Sequence, residues 1–150
     1  MRPLEGQFRN PSGCAISAVI SRNGERMSGE KIIESMKPMH ERSNGLGGGF
    51  AAYGIYPEMK DFFALHLFFT DKTVRHACED YLRGALEIVK AEVIPTRTIP
   101  AITDEPLIWR YFVTPLRSVL ASRQLDENEF LARIVMHINT HLQGTYVFSS

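Results

Sequence analysis

Of the side chains in this sequence able to act as nucleophile, base or ligand, Cys14 stands apart. It follows the turn-forming run Asn10-Pro11-Ser12-Gly13 and opens the stretch "CAISAVIS". The alternation of small and apolar residues there predicts a β-strand over residues 14–21. A thiol at the head of a strand has two readings. In the first it is a small buried residue that fills a core. In the second it is a nucleophile. If residues 1–13 were removed as a leader, Cys14 would become the first residue and its own α-amine would serve as general base. An α-amine suits that task because its reference pKa, about 7.7–8.0, lies near working pH. The layout required is a dispensable leader, a small residue before the nucleophile and a strand after it. All three are present, and on the residues alone both readings stay open. Cys78 has a plainer setting. In "KTVRHACEDYLRGAL", Val74, Cys78, Leu82 and Leu86 recur at i, i+4, which makes Cys78 a small buried residue on a helix. Two cysteines are a poor disulfide framework.

Other candidates read more simply as structure. His137 and His141 stand at the i, i+4 spacing that can chelate a metal, but no HExxH pattern and no nearby cysteine accompanies them. His40, His66 and His76 are scattered, and surface or half-buried histidines account for all five. The run "GLGGG" follows a helical pattern and precedes a strand pattern, the reverse of a phosphate loop, and lacks the Lys-Ser/Thr ending. Turn formation and close backbone packing are expected of it. "WRYF" is either a stacking platform or, more simply, a strand of alternating aromatics in a sheet core. "DENE", residues 126–129, places acids where a helix N-terminus favours them.

The elements that must position these residues follow from the patterning. Asn23-Gly24 marks a turn, and Ser28 is the expected N-cap of a helix carrying Ile32, Ile33, Met36 and Met39 on one face, shortened by Pro38. A glycine-rich loop then leads to a short strand over 50–55. From Phe62 onward the expected order is strand, helix, strand, strand, helix, strand. "FFALHLFF" is the first strand, Asp71 caps a helix over 72–84, and "EIVKAEVIPT" and "LIWRYFVTP" are the middle strands. A helix capped at Asp126 and ended by Gly144 precedes the last strand, "TYVFSS". That order is the ferredoxin-like split βαβ pattern.

Composition narrows the function classes. In 150 residues, 17 Lys+Arg balance 17 Asp+Glu, so no charge excess points to nucleic acid or to an acidic partner. A hydrophobic fraction of 44% is that of a globular protein. The apolar stretches are too short to span a bilayer, and residues 1–13 lack a signal-peptide core. A cytoplasmic location is expected, without membrane or nucleic-acid partners.

The stretch "SGCAISAVISRNGERMSGEKIIESMKPMHERSNGLGGGFAAYGIYPEMKDFFALHLFF" resembles the start of the class II glutamine amidotransferase domain of the glutamate synthase type, in its stand-alone prokaryotic form. The likeness continues through "IPTRTIPAITDEPLIWRYFVTP" and "INTHLQGTYVFSS", and "MHERSNGLGGGFAAYGIYPE" is its most specific piece. The resemblance implies an α+β fold: part of a four-layer αββα sandwich of the N-terminal nucleophile (Ntn) hydrolase type. Residues 1–13 would be the leader, 14–61 the N-terminal part of the amidotransferase domain, and 62–150 a ferredoxin-like βαββαβ insertion. Arg42 would lie on the helix packed over the first strand. Cys14 would attack the side-chain amide of glutamine, ammonia would leave from a γ-glutamyl thioester, and water would release glutamate. No cofactor or metal is implied.

The resemblance also implies residues that this sequence does not contain. The family binds the glutamine carboxylate through an arginine in an "RFPTNT"-like motif and the oxyanion through an "HNG" motif, and a downstream aspartate holds the substrate amine. None has a counterpart here, and Asn44-Gly45 belongs to the earlier glycine-rich run. A single oxyanion donor is worth about 2.7–4 kcal/mol of transition-state stabilisation. The chain is therefore expected to be the N-terminal part of an amidotransferase, ending in or just after a strand at Ser150 and inactive alone. Its expected partners are glutamine as substrate of the complete protein, a complementing C-terminal half, and a synthase subunit or domain that accepts the ammonia. The alternative is a non-catalytic ferredoxin-like binding or assembly module with Cys14 inert.

Overall fold

A computed structural model describes residues 14–42, 48–100 and 102–150, without the side chains of His40 and Glu41. The chain divides into two compact units, Met1–Tyr53 and Gly54–Ser150. The fold class is α+β, with a four-stranded antiparallel sheet.

The first unit holds one α-helix, α1 (Glu30–Met36), continued by a 3-10 helix over Lys37–Arg42. The tightening falls where Pro38 denies the α-helix a backbone donor. Three expectations need correction here. Residues 14–21 join no strand ladder, and neither do residues 50–55. A strand exists only through a neighbour that takes up its N–H and C=O groups, and no such neighbour stands beside either stretch among the described residues. Their apolar side chains are accordingly left in solvent: Ile16 is 88% exposed and Ile20 85%. Thirdly, the N-cap of α1 is Gly29, not Ser28. The Ser28 hydroxyl accepts from the N–H of Glu30 at 3.2 Å, a local bond that places Ser28 one residue outside the helix. Asn23-Gly24 does turn the chain, with Gly24 at φ +70°. The hydroxyls of Ser17 and Ser35 lie 2.6 Å apart. Since Ser35 donates to the carbonyl of Ile32, Ser17 is the donor, and this bond ties residues 14–21 to α1.

The second unit contains β1 (Phe63–Phe69), α2 (Lys72–Arg83), β2 (Leu86–Val93), β3 (Leu107–Pro115), α3 (Arg117–Arg123), α4 (Glu127–His141) and β4 (Thr145–Ser149). The strands lie in the order β2-β3-β1-β4, with every neighbouring pair antiparallel. This is the split βαβ arrangement. Asp71 and Asp126 cap α2 and α4 as expected, accepting from the N–H groups of Val74 and Glu129 at 2.9 Å. The short helix α3, "RSVLASR", is an addition to the expected order of elements. Leu86, read with the face of α2, begins β2. The expected role of Gly144 is shifted: Leu142 is the C-cap of α4, and Gly144 turns the chain into β4 with φ +75°.

One face of the sheet and the helices form the core. Leu65, Leu67, Phe69, Tyr111, Val113 and Val147 point to it, against Cys78 and Leu82 of α2 and Phe130, Leu131, Ile134 and Ile138 of α4. Every buried residue among the described ones lies in this second unit. The edge strand β4 is secured by a side chain. Asn139 donates to the carbonyl of Val147 at 3.0 Å and accepts from its N–H at 2.7 Å, satisfying both backbone groups at once.

Candidate functional site

Cys14 is a free, exposed thiol at the head of residues 14–21, which belong to no helix or strand. The core-packing reading of this residue is not what the structure shows. Cys78 is the opposite case, fully buried on α2, where burial, reinforced by the carboxylate of Glu79, pushes its thiol pKa up to about 12. The thiolate is the reactive form, so of the two cysteines only Cys14 is placed to act as a nucleophile. Of the glycine-rich run, Gly45 and Gly47 lie outside the described residues. At Gly48 and Gly49 an added Cβ would meet nothing within 4 Å, so the close backbone packing expected there is absent. Residues 1–13 and Asn44 also lie outside the described residues, while Arg42 closes the 3-10 helix.

The histidines at i, i+4 on α4 stack on one another, with His137 and His141 ring centroids 4.5 Å apart, and Tyr81 stacks on His137 at 4.8 Å. Among the described residues no group of three or more His, Cys, Asp or Glu is arranged to hold a metal ion. The "WRYF" strand serves both faces of the sheet. Tyr111 is buried on the helix side, and Trp109 lies beside it under the guanidinium of Arg75, 4.0 Å from the ring centroid. Phe112 is buried on the opposite face, under the ring of Tyr56.

Two polar clusters in the second unit escaped the sequence reading. The first centres on Glu79, a carboxylate only 7% exposed on α2. Its Oε1 accepts from the hydroxyl of Tyr111 at 2.8 Å and lies 3.5 Å from Arg75, and its Oε2 is 3.3 Å from Arg83. Burial, with the Glu79 carboxylate behind it, pushes the Tyr111 phenol pKa far up. The spacing Arg75, Glu79, Arg83 at i, i+4 was a legible signal of an ion-paired helix face. The Tyr111 partner was not legible, because it depends on how α2 sits on β3.

The second cluster crosses the other face of the sheet. The register aligns His66 of β1, Arg110 of β3 and Glu92 of β2 in one row. Arg110 donates from Nε to His66 Nε2 at 2.9 Å and from a terminal nitrogen to Glu92 at 2.6 Å. The same nitrogen donates to the hydroxyl of Tyr56. Lys90 pairs with Glu92 at 2.8 Å. Burial and, secondly, the Arg110 charge lower the pKa of His66. Hydrogen bonding to Lys90 first, and then to Arg110, lowers that of Glu92.

Comparison with known proteins adds a relationship but no activity. The chain is 42% identical over 144 residues to an uncharacterized protein of Archaeoglobus fulgidus, a match covering 95% of this chain and 38% of that protein. This chain thus spans little more than a third of the length of that relative. No protein-family model and no solved structure matches it. Among the described residues, no helix is long and apolar enough to cross a membrane.

Proposed function

We propose that this chain is the N-terminal part of a class II glutamine amidotransferase of the glutamate synthase type, acting in the cytoplasm with Cys14 as its nucleophile. The observation that carries the reading is the placement of Cys14: an exposed, free thiol immediately behind residues 1–13 in the sequence. Loss of that leader would free the α-amine of Cys14 as base. The sulfur would then add to the side-chain amide carbon of glutamine. The C–N bond breaks, the nitrogen takes up a proton and leaves as ammonia, and water hydrolyses the thioester to glutamate and the restored thiol. Alternating apolar sequence without a strand partner, and exposed Ile16 and Ile20, fit the N-terminal strands of an αββα sandwich whose other strands come from elsewhere. A relative more than twice as long fits the same view. The oxyanion donors and the carboxylate-binding arginine would belong to a complementing C-terminal half, and a synthase subunit or domain would take the ammonia.

The test is the intact mass and N-terminal sequence of the protein from its native source. A chain beginning at Cys14, with glutaminase activity on addition of a polypeptide bearing the missing motifs, is the expected result. A chain still beginning at Met1 or Arg2 leaves the thiol without its base and removes the proposal. One observation favours a second reading, a non-catalytic binding or assembly module of ferredoxin-like topology. All buried residues among the described ones lie in Gly54–Ser150, which therefore has a core of its own. That reading requires Cys14→Ser to leave the protein's function intact.

A further inference from the structure

The row His66, Arg110, Glu92 does not stand open to solvent. The segment that enters the second unit lies across it. Tyr56 packs edge-on against Phe112, with ring centroids 5.3 Å apart, and its ring lies 4.6 Å from the Arg110 guanidinium and 5.7 Å from the Lys90 ammonium. Behind Tyr56 the chain makes a one-turn 3-10 helix, Pro57–Met59, in which the N–H of Met59 bonds to the carbonyl of Tyr56 at 2.9 Å. Arg110 is the hub. His66 holds its Nε, and the terminal nitrogen that reaches Tyr56 is the one Glu92 holds.

We propose that Tyr56 and the 3-10 turn behind it form an acid-released strap, locked on the sheet by neutral His66 and freed when His66 takes up a proton. The lock depends on which atom donates. Arg110 Nε can only donate, so His66 Nε2 must carry the lone pair and the ring must be neutral. Protonation makes Nε2 a donor aimed at a donor and sets an imidazolium against a guanidinium. The guanidinium is then repelled from the position that holds Tyr56.

Of the groups that face His66, only the Ser149 backbone favours the added proton. From β3 it faces Arg110, and beyond Arg110 stands Glu92 of β2, already shared with Lys90. From β4 come only the Ser149 backbone, which favours the proton weakly, and the ring of Phe148 at 5.8 Å. His66 Nδ1 itself is buried and makes no hydrogen bond of full geometry. The strap contributes Tyr56 and Glu58, and Glu58 acts on Lys90. Glu92 is held below the usual carboxylate range by its bonds to Lys90 and Arg110, and that range itself lies below the ordinary range of histidine.

Amide hydrogen exchange on the full chain at pH 7.5 and 5.0, corrected for the intrinsic pH dependence of exchange, tests the strap. If the strapped form binds no proton and the freed histidine titrates near 6.5, protection of Met59, Lys60 and Phe62 falls by up to about 30-fold between these pH values. His66→Gln should abolish the pH dependence. Tyr56→Ala, at a half-buried position outside the core cluster, should leave those amides unprotected at both pH values. Equal protection of the wild-type segment at the two pH values overturns the proposal. So does a pH dependence that survives in His66→Gln. Parallel loss of protection in β1 also overturns it, since that would be unfolding of the unit and not release of a strap.

Discussion

Replacing Tyr111 by Phe isolates one atom. The ring is wholly buried against Phe69 and Trp109, and Phe keeps that packing, so no cavity forms. What goes is the hydroxyl that donates to Glu79 at 2.8 Å. The carboxylate, 7% exposed, then keeps Arg75 at 3.5 Å, Arg83 at 3.3 Å and His76 at 3.7 Å, and the Arg83 and His76 side chains are themselves more than half exposed. A hydrogen bond to a charged group contributes about 1.5–3 kcal/mol, and one between neutral groups about 0.5–1.5. Tyr111→Phe should therefore destabilise the second unit by about 2 kcal/mol, with an unchanged denaturant slope in urea unfolding. In a unit of this size each kcal/mol lowers Tm by roughly 4–8 °C. The decisive control is the double-mutant cycle. In a Glu79→Gln background the same substitution should cost only about 1 kcal/mol, because the bond lost is then neutral. A loss below about 0.5 kcal/mol in the wild-type background, the range of an inert surface change, would refute the argument that Glu79 depends on this hydroxyl.

Three further outcomes follow from the same geometry. Iodoacetamide at pH 8 should label Cys14 and leave Cys78 unmodified until the second unit unfolds, as read by peptide mass; equal labelling of both would contradict the burial of Cys78. The folded pKa values of Cys78 and Tyr111 lie above their unfolded ones, so the unfolded chain releases these protons first. The contribution of Cys78 to stability is complete below about pH 9 and is lost as the pH rises towards about 12, and Cys78→Ala should flatten that decline in pH-dependent urea titrations. Gly144→Ala forces a side chain onto φ +75° and sets its Cβ 2.6 Å from Thr70 Oγ1; it should lower stability by more than about 1 kcal/mol, and a neutral result would mean that this turn is wrongly placed.

The second unit was largely legible because its signals are local. Asp71 and Asp126 announce helices by a bond three residues long, and the apolar periods of "FFALHLFF" and "LDENEFLARIVMHINTHL" repeat within each element. Its polar clusters were illegible for the opposite reason. His66, Arg110 and Glu92 come from three strands, and only the register, including a bulge between Ile88 and Lys90, sets them in one row. The first unit misled because alternation reports that a face is apolar, not that a partner is present to pair with it. "CAISAVIS" has the pattern of a strand and, among the described residues, no neighbour to make it one. The short helix α3 has no capping side chain at Leu116 and no buried residue, so neither signal that marks a helix was available.

The contrast between the two units makes the last prediction. Stability in a domain comes mainly from apolar surface removed from water, about 25 cal/mol for each Å². In Met1–Tyr53 none of the described residues is buried, and large side chains such as Ile16, Ile20 and Tyr53 (96% exposed) supply almost none of that term. The entropy of ordering its backbone, about 1–2 kcal/mol per residue, is then left without an opposing gain. In Gly54–Ser150 the whole cluster from Leu65 to Val147 is buried. A chain beginning at Gly54 should therefore unfold with nearly the Tm and the sharpness of the full chain, whereas residues 1–53 alone should show no cooperative transition. If removing residues 1–53 lowered Tm by more than about 5 °C, roughly 1 kcal/mol in a unit of this size, the first unit would be stabilising the second. Unaltered Tm combined with rapid protease cleavage confined to residues 14–53 would instead identify those residues as sequence that gains its structure only on another chain, which is the physical condition the amidotransferase reading requires.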